Sequence, residues 1–286
     1  MSAAQTHSPD WPGRRLLDAL GVTDLDTFDP RAGWRRHADD DVLTIPIGAP
    51  VDAPDSTVSI ELGDHANVAL CVGIAGKTTA LQSLALSVCT LYPPTRVQLA
   101  IADTQNGITS ANATTGPPPH VVAHCAGYRR AADPPANWDT WCAQVEAALN
   151  ERTGQSQPEL LVVVDAVDEL LGSHPQVAGT LQRIADEGRD KRVRLLMSST
   201  EQTSKFAVGA RLGRPVAATS DVVIALRTAT AQTSMDALGG PQAWQLPMSP
   251  LGLGYVRPPD GAITGPVRLF TAADVAPALS SRLMTI

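Results

Sequence analysis

Three consecutive residues, Gly76, Lys77 and Thr78, end the stretch CVGIAGKTT in the manner of a loop that binds phosphate. Such loops read G-x-x-x-x-G-K-[ST]: glycines let backbone N–H groups turn towards phosphate oxygens, the lysine neutralises the β- and γ-phosphates, and the hydroxyl holds Mg²⁺. The helix that follows adds the positive end of its dipole. The stretch therefore predicts a nucleotide site, with the candidate contacts Gly73, Gly76, Lys77, Thr78 and Thr79.

The beginning of this loop departs from the pattern. Counting back from Gly76 puts Cys71 at the position of the first glycine, and a cysteine adds a Cβ where the loop normally has none. Alternatively, Gly73 is the first glycine and the loop is two residues shorter than the pattern. Either arrangement distorts the ring of N–H groups, so the sequence predicts an incomplete phosphate loop.

A second group of candidate residues follows the hydrophobic run ELLVVVD, Glu159–Asp165. In P-loop ATPases such a strand ends in Asp-Glu, where the Asp supports Mg²⁺ and the Glu polarises the attacking water. Here Asp165 takes the first position and Ala166 the second, while Asp168 and Glu169 are expected to lie too far along the chain. We therefore expect Thr78 and Asp165 to hold Mg²⁺ through a nucleotide, and hydrolysis to be poor.

The elements around these residues alternate between buried strands and amphipathic helices. Apolar runs predict strands at 68–72, 96–103, 159–165, 193–199 and 221–228, and helices at 78–91 and about 176–187. This alternation predicts an α/β fold with a mainly parallel central sheet flanked by helices. Two pairs of short β-rich runs, 42–48 with 56–63 and 252–258 with 266–272, predict hairpins.

Composition limits the class of protein. The chain has 286 residues, 43% of them hydrophobic, which is enough for one large core. Its net charge of −7 argues against a dedicated nucleic-acid binder, which usually presents a basic face. No apolar run reaches the ~18 residues of a membrane span and the N-terminus lacks a signal-peptide core, so a cytoplasmic protein is expected.

Several segments in matching order resemble a known family. IADTQNG, VVVDAVDELL and LPMSPLGLGYVR, with the opening LLDALGVTDL and the glycine-lysine-threonine loop, are similar to segments of FtsK/SpoIIIE-type ATPase domains. The resemblance runs from about residue 14 to 272 and is specifically to the domains of EccC, the motor protein of type VII (ESX) secretion. VVVDAVDELL aligns with the family's V-V-V-D-E-F-x-E-L-L, so Ala166 replaces the glutamate.

The resemblance implies a RecA-like P-loop fold that binds ATP with Mg²⁺ at domain interfaces, in tandem or in a hexameric ring. Arg189 falls on the position of an arginine finger that acts in trans, whereas Thr200 and Glu201 replace a Gln-Arg pair. The implied partners are other ATPase domains of the same motor, WXG-type secreted substrates and a membrane secretion complex. The implied location is the cytoplasm, at the inner face of the membrane.

The domain plan that follows has three parts: a disordered or appended end at 1–13, an N-terminal helix and connector at 14–55 that packs on the core, and the RecA-like domain at 56–286. The predicted function is that of a degenerate ATPase domain in a protein-export motor, acting in its assembly or regulation. An active DNA translocase of the FtsK kind is one alternative. A scaffold or substrate-docking module that binds no nucleotide is another.

Overall fold

Unbroken apolar runs form the centre of a single sheet in the computed structural model, which describes residues 12–108, 117–127, 136–153, 157–200 and 220–284. Within those ranges the sheet has ten strands in the order β2-β1-β10-β9-β8-β3-β7-β6-β4-β5. The strands are β1 (Leu43–Pro50), β2 (Val58–Leu62), β3 (Val68–Val72), β4 (Val97–Asp103), β5 (Val121–Ala126), β6 (Glu159–Val164), β7 (Val193–Ser199), β8 (Val222–Leu226), β9 (Leu253–Arg257) and β10 (Thr264–Leu269).

Helices cover both faces of this sheet, as its buried central strands require. They are α1 (Pro12–Ala19), α2 (Pro30–Arg36), α3 (Lys77–Leu91), α4 (Trp138–Glu151), α5 (Val167–Ser173), α6 (Val177–Glu187), α7 (Ala231–Leu238) and α8 (Ala276–Met284). One core contains α1, α3 and α8, and the other contains α4, α5 and α6. The α/β fold predicted from the alternation of elements is confirmed.

The sheet divides into a parallel and an antiparallel half. Strands β8, β3, β7, β6, β4 and β5 run parallel, so their carboxyl ends share one edge. Both predicted hairpins are present, with β1 pairing β2 and β9 pairing β10. Because β10 also pairs β1, the second hairpin lies inside the sheet and joins the two halves.

Four helices, α2, α5, α7 and α8, lie where no helix was predicted from the sequence. Helix α2 occupies the polar connector, where the Asp29 side chain accepts from the N–H of Arg31 and Pro30 stands in the first turn. Helix α8 follows β10 and buries Ala276, Leu279 and Leu283. The domain boundary at residue 55 stays a prediction, and β1 and β2 pair across it.

A buried cluster of charges fixes the amino end of β6. The Glu159 carboxylate, 1% exposed, lies 3.2 Å from Arg194, 3.4 Å from Arg192 and 3.6 Å from Arg96. Arg194 is equally buried and also contacts the side chain of Asn67. Since buried arginines are stable only when paired, this carboxylate holds three segments of the chain together.

A buried histidine lies where the start of β5 meets α2 and α3. The Nε2–H of His120 donates to the Tyr92 carbonyl oxygen at 2.8 Å, and the ring packs edge-on against Trp34 at 5.4 Å. The side chain is fully buried, and this burial lowers the pKa of His120 from 6.5 to about 4.

This depressed pKa predicts a loss of stability in mild acid. The unfolded chain binds the proton below pH 6.5 and the folded chain only near pH 4, so stability present above pH 6.5 is lost as the pH falls through that window. The expected loss is on the order of 3 kcal/mol. Urea unfolding at pH 7.5 and 4.5 measures it, with His120→Asn as the control that keeps a donor for the carbonyl but does not titrate. Equal losses in both proteins would contradict the assignment.

Candidate functional site

The loop between β3 and α3 depends on two glycines. A Cβ at Gly73 would approach the Leu226 Cβ at 2.7 Å, closer than real Cβ contacts come. Gly76 precedes α3 with a φ of 84°, in the left-handed region that side chains disfavour. The backbone of this loop therefore excludes a side chain at Gly73 and disfavours one at Gly76.

Cys71 lies before this loop, inside β3. Its backbone pairs in register with Ser198 on β7 and Ile224 on β8, and its side chain is fully buried. Burial raises the pKa of the Cys71 thiol to about 12, so the group stays protonated and inert. Of the two arrangements that the sequence left open, the structure has the shorter loop, which begins at Gly73.

Lys77 closes over the loop that it follows. Its Nζ donates to the Gly73 carbonyl oxygen at 2.8 Å and to the Thr200 hydroxyl at 3.2 Å. Thr200 follows β7, the strand that lies between β3 and β6. The ammonium group thus lies between the phosphate loop and the end of the neighbouring strand, and it is partly exposed to solvent.

Thr78 and Asp165 meet across the ends of β3 and β6. The Thr78 hydroxyl donates to Asp165 Oδ2 at 2.9 Å, and the Ser198 hydroxyl donates to Asp165 Oδ1 at 2.7 Å. Burial raises the pKa of the Asp165 carboxyl, and these two hydrogen bonds oppose that rise. A hydroxyl and a carboxylate are the oxygen donors that Mg²⁺ takes in nucleotide sites, so the pair fits that ion.

Ala166 brings no acid to the place where an ATPase has its glutamate. The residue adopts a left-handed conformation, φ 46° and ψ 55°, and its N–H donates to the Ser198 hydroxyl at 2.8 Å. Its side chain is a buried methyl group. Position 166 therefore supplies nothing that orients or deprotonates water.

Asp168 lies closer to the loop than its position in the sequence suggests. It is in the first turn of α5, and its Oδ2 accepts from the Thr200 N–H at 3.1 Å. Thr200 is the residue that Lys77 also contacts. Glu169, in contrast, is exposed and pairs with the Gln105 side chain.

A cavity of about 340 Å³ opens beside the loop, between α3 and β10. Its lining includes Gly76 and Thr79 on one side and Arg268, Phe270 and Thr271 on the other. Within the described ranges, the Arg268 guanidinium forms neither a hydrogen bond nor an ion pair. The volume suits a small planar group adjoining the phosphate loop.

Arg189 lies at the opposite edge of the sheet, before β7. It is 49% exposed, donates to the Asp64 carbonyl oxygen at 2.9 Å and lies 3.6 Å from the Asp221 carboxylate. The phosphate loop follows the carboxyl end of β3, whereas Arg189 precedes the amino end of the neighbouring β7. Arg189 is therefore far from the phosphate loop of its own chain. Glu201, named with Thr200 in the sequence analysis, lies outside the described residues.

Sequence comparison finds relatives over nearly the whole chain. No family model matches. The ESX-4 secretion system protein EccC4 of Mycobacterium tuberculosis is 27% identical over 302 aligned positions, covering 93% of this chain and 24% of EccC4. The ESX secretion system protein EccC of Thermomonospora curvata is 26% identical, covering 95% of this chain and 22% of its own length. The chain thus spans about a quarter of the length of these relatives.

Structure comparison finds chains with a similar fold. The cytoplasmic domain of the Thermomonospora curvata type VII secretion ATPase EccC superposes with a TM-score of 0.66 at 23% identity, covering 90% of this chain and 31% of that one. The pCW3 conjugation coupling protein TcpA with ATPγS superposes with a TM-score of 0.58 at 12% sequence identity, covering 86% of this chain and 71% of that one. ATPases 2 and 3 of Thermomonospora curvata EccC with a signal sequence peptide superpose with a TM-score of 0.53 at 16% sequence identity, covering 81% of this chain and 41% of that one.

The structure also bears on membrane insertion. Among the helices in the described ranges, none has the length and apolar content needed to cross a membrane.

The predicted P-loop ATPase fold is confirmed by the structural neighbours, and the predicted family resemblance is confirmed by the EccC relatives. The chain is similar in sequence to type VII secretion proteins named EccC, and it has the P-loop ATPase fold of the EccC domain on which it superposes.

Proposed function

We propose that this chain is a degenerate ATPase domain of an EccC-like type VII secretion motor. It binds Mg-ATP weakly, hydrolyses it slowly or not at all, and acts in the assembly or regulation of the motor. One observation carries the proposal: Lys77, Thr78 and Asp165 meet at the carboxyl edge of the sheet, while Ala166 stands where hydrolysis needs an acid.

Phosphate binding rests on the loop and its lysine. Gly73 and Gly76 shape the backbone, and Lys77 would exchange its bond to the Gly73 carbonyl for the β- and γ-phosphates. Thr78 and Asp165 would hold Mg²⁺, which neutralises phosphate charge when bound. The cavity beside Thr79 would take the base. The TcpA structure, which contains ATPγS, supports nucleotide binding by this fold.

Weak binding follows from the short loop. A phosphate loop that begins at Gly73 offers fewer inward N–H groups than the full pattern, so each phosphate oxygen has fewer donors. Slow hydrolysis follows from Ala166, because losing a positioned acid or base commonly lowers a rate by about two to four orders of magnitude. The DNA-translocase alternative is not favoured, since the curated relatives are secretion proteins and the chain is acidic.

The proposed partners are inferred from the relatives and from the position of Arg189 at the edge of the sheet opposite the phosphate loop. Other ATPase domains would pack against the loop edge in tandem or in a ring, and Arg189, at the far edge, would serve a neighbour's nucleotide. An EccC structure that contains a signal sequence peptide supports WXG-type secreted proteins as substrates of the motor. Such a motor would work in the cytoplasm, at the inner face of the membrane beside its secretion complex.

Calorimetric titration with Mg-ATP, alongside a steady-state hydrolysis assay, tests this proposal. We expect saturable binding with a dissociation constant above about 10 μM and turnover far below the ~10 s⁻¹ of typical enzymes. Turnover near that value would contradict the degenerate reading. No binding at millimolar Mg-ATP would point instead to a scaffold that uses the fold only for assembly or docking.

A further inference from the structure

Asp168 has an oxygen atom without a hydrogen-bond partner in the part of the chain that the structure describes. The residue is 8% exposed, and its Oδ1 is buried with no hydrogen-bond partner among the described residues. A buried acceptor left unpaired costs about 1–3 kcal/mol, so folded proteins rarely keep one unless something else occupies it. The other oxygen is fixed by the Thr200 N–H, which sets the direction of the carboxylate.

The surroundings of this carboxylate indicate what it could contact. Thr200, which holds Asp168 through its N–H, also holds the Lys77 ammonium through its hydroxyl. One residue therefore joins Asp168 to the group expected to bind the terminal phosphates. Asp165, the candidate Mg²⁺ ligand, lies three positions earlier, at the start of the same turn.

Asp168 reaches this place because of the backbone at Ala166. The left-handed conformation of Ala166 turns the chain sharply between β6 and α5. The first turn of α5 is thereby brought beside the end of β7, where Thr200 lies.

We propose that Asp168 is a further catalytic residue of the proposed ATPase site, the carboxylate that contacts the attacking water beside the γ-phosphate. This inference rests on the proposed function. The water oxygen bonds to the γ-phosphorus as the bond to the β–γ bridging oxygen breaks, and ADP leaves with that electron pair. The water proton passes to Oδ1 and from there to solvent. Because an aspartate is one methylene shorter than a glutamate, this turnover is slow.

A charge beside the γ-phosphate must also distinguish ATP from ADP. The carboxylate repels the terminal phosphate of ATP, whereas the β-phosphate of ADP lies further away. Asp168→Asn keeps the acceptor for the Thr200 N–H and removes the charge. It is expected to tighten ATP about tenfold relative to ADP and to slow single-turnover hydrolysis at least about tenfold.

Glu169→Gln is the matched control. It removes the same charge one residue further on, from an exposed side chain that contacts Gln105 and not Thr200. We expect its ATP-to-ADP affinity ratio and its single-turnover rate to equal those of the wild type. Calorimetry with each nucleotide and a quenched single-turnover assay with excess protein provide both readouts.

The outcomes separate this inference from the function on which it rests. A wild-type domain that binds neither nucleotide overturns both. A domain that binds ATP, but in which Asp168→Asn behaves like Glu169→Gln, overturns the role of Asp168 alone. A domain that binds ATP and converts none of it in a single turnover also overturns that role and leaves the proposed function standing.

Discussion

Lys77→Ala is expected to reduce the affinity for Mg-ATP at least about a hundredfold, below detection by calorimetry. Lys77 is the one ammonium group at the described phosphate loop, and it faces the place where two or more phosphate charges would lie. A charge-assisted contact in a partly buried site contributes about 1.5–3 kcal/mol, and each 1.4 kcal/mol is tenfold in affinity. Losing contacts to both terminal phosphates therefore removes most of an already weak interaction.

The control for this prediction is Lys191→Ala. Lys191 pairs with Glu187 after α6, at the edge of the sheet opposite the loop, so the variant makes the same charge change away from the site. Its Mg-ATP affinity should equal that of the wild type. Urea unfolding of each variant separates loss of binding from loss of fold. Unchanged affinity in a folded Lys77→Ala protein would mean that the loop holds no phosphate.

Glu159→Ala is expected to give the largest loss of stability, about 3–5 kcal/mol. The substitution removes the buried partner of Arg194, which is 1% exposed and keeps only the exposed Asp64 carboxylate, and it also removes the partner of Arg96. Removing one member of a buried ion pair costs this much because the remaining charge cannot be solvated. Because the free energy of unfolding of a whole domain is only about 5–15 kcal/mol, this loss would leave a measurable fraction of the molecules unfolded.

Glu187→Ala provides the comparison for that measurement. Glu187 also pairs with basic residues, Arg183 and Lys191, but on the surface, where water screens each charge. Urea unfolding curves should show a large shift of the midpoint for Glu159→Ala and little shift for Glu187→Ala. Similar midpoints for the two variants would show that water solvates the arginines around β6.

Much of the fold follows from the sequence because its signals are local. Strand Val68–Val72 is apolar throughout and strand Glu159–Val164 is apolar after Glu159, as strands covered on both faces must be, and each is followed by a helix. Parallel strands bring their carboxyl ends to one edge, so a loop after the first run and an acid after the second are expected to meet. The hydrogen bond between Thr78 and Asp165 is the result.

Two features of the site, the start of the phosphate loop and the contact of Asp168 with Thr200, depend on strand order and backbone direction and were decided by the tertiary structure. The sequence allowed the loop to begin at Cys71 or Gly73, and the pairing of Cys71 with both neighbouring strands assigned the beginning to Gly73. Asp168 is 32 residues from Thr200, and their contact exists because β6 and β7 are neighbours and Ala166 turns the chain.

The sequence by itself thus determined the central strands, the α/β fold and the residue types at the loop, since these follow from hydrophobic periodicity and short-range spacing. Only the folded chain decided that Lys77 and Asp168 both contact Thr200, and that Arg189 lies at the opposite edge of the sheet. Contacts between residues distant in the chain are fixed by the order in which strands pair. That order depends on the packing of the whole sheet, which no short segment encodes.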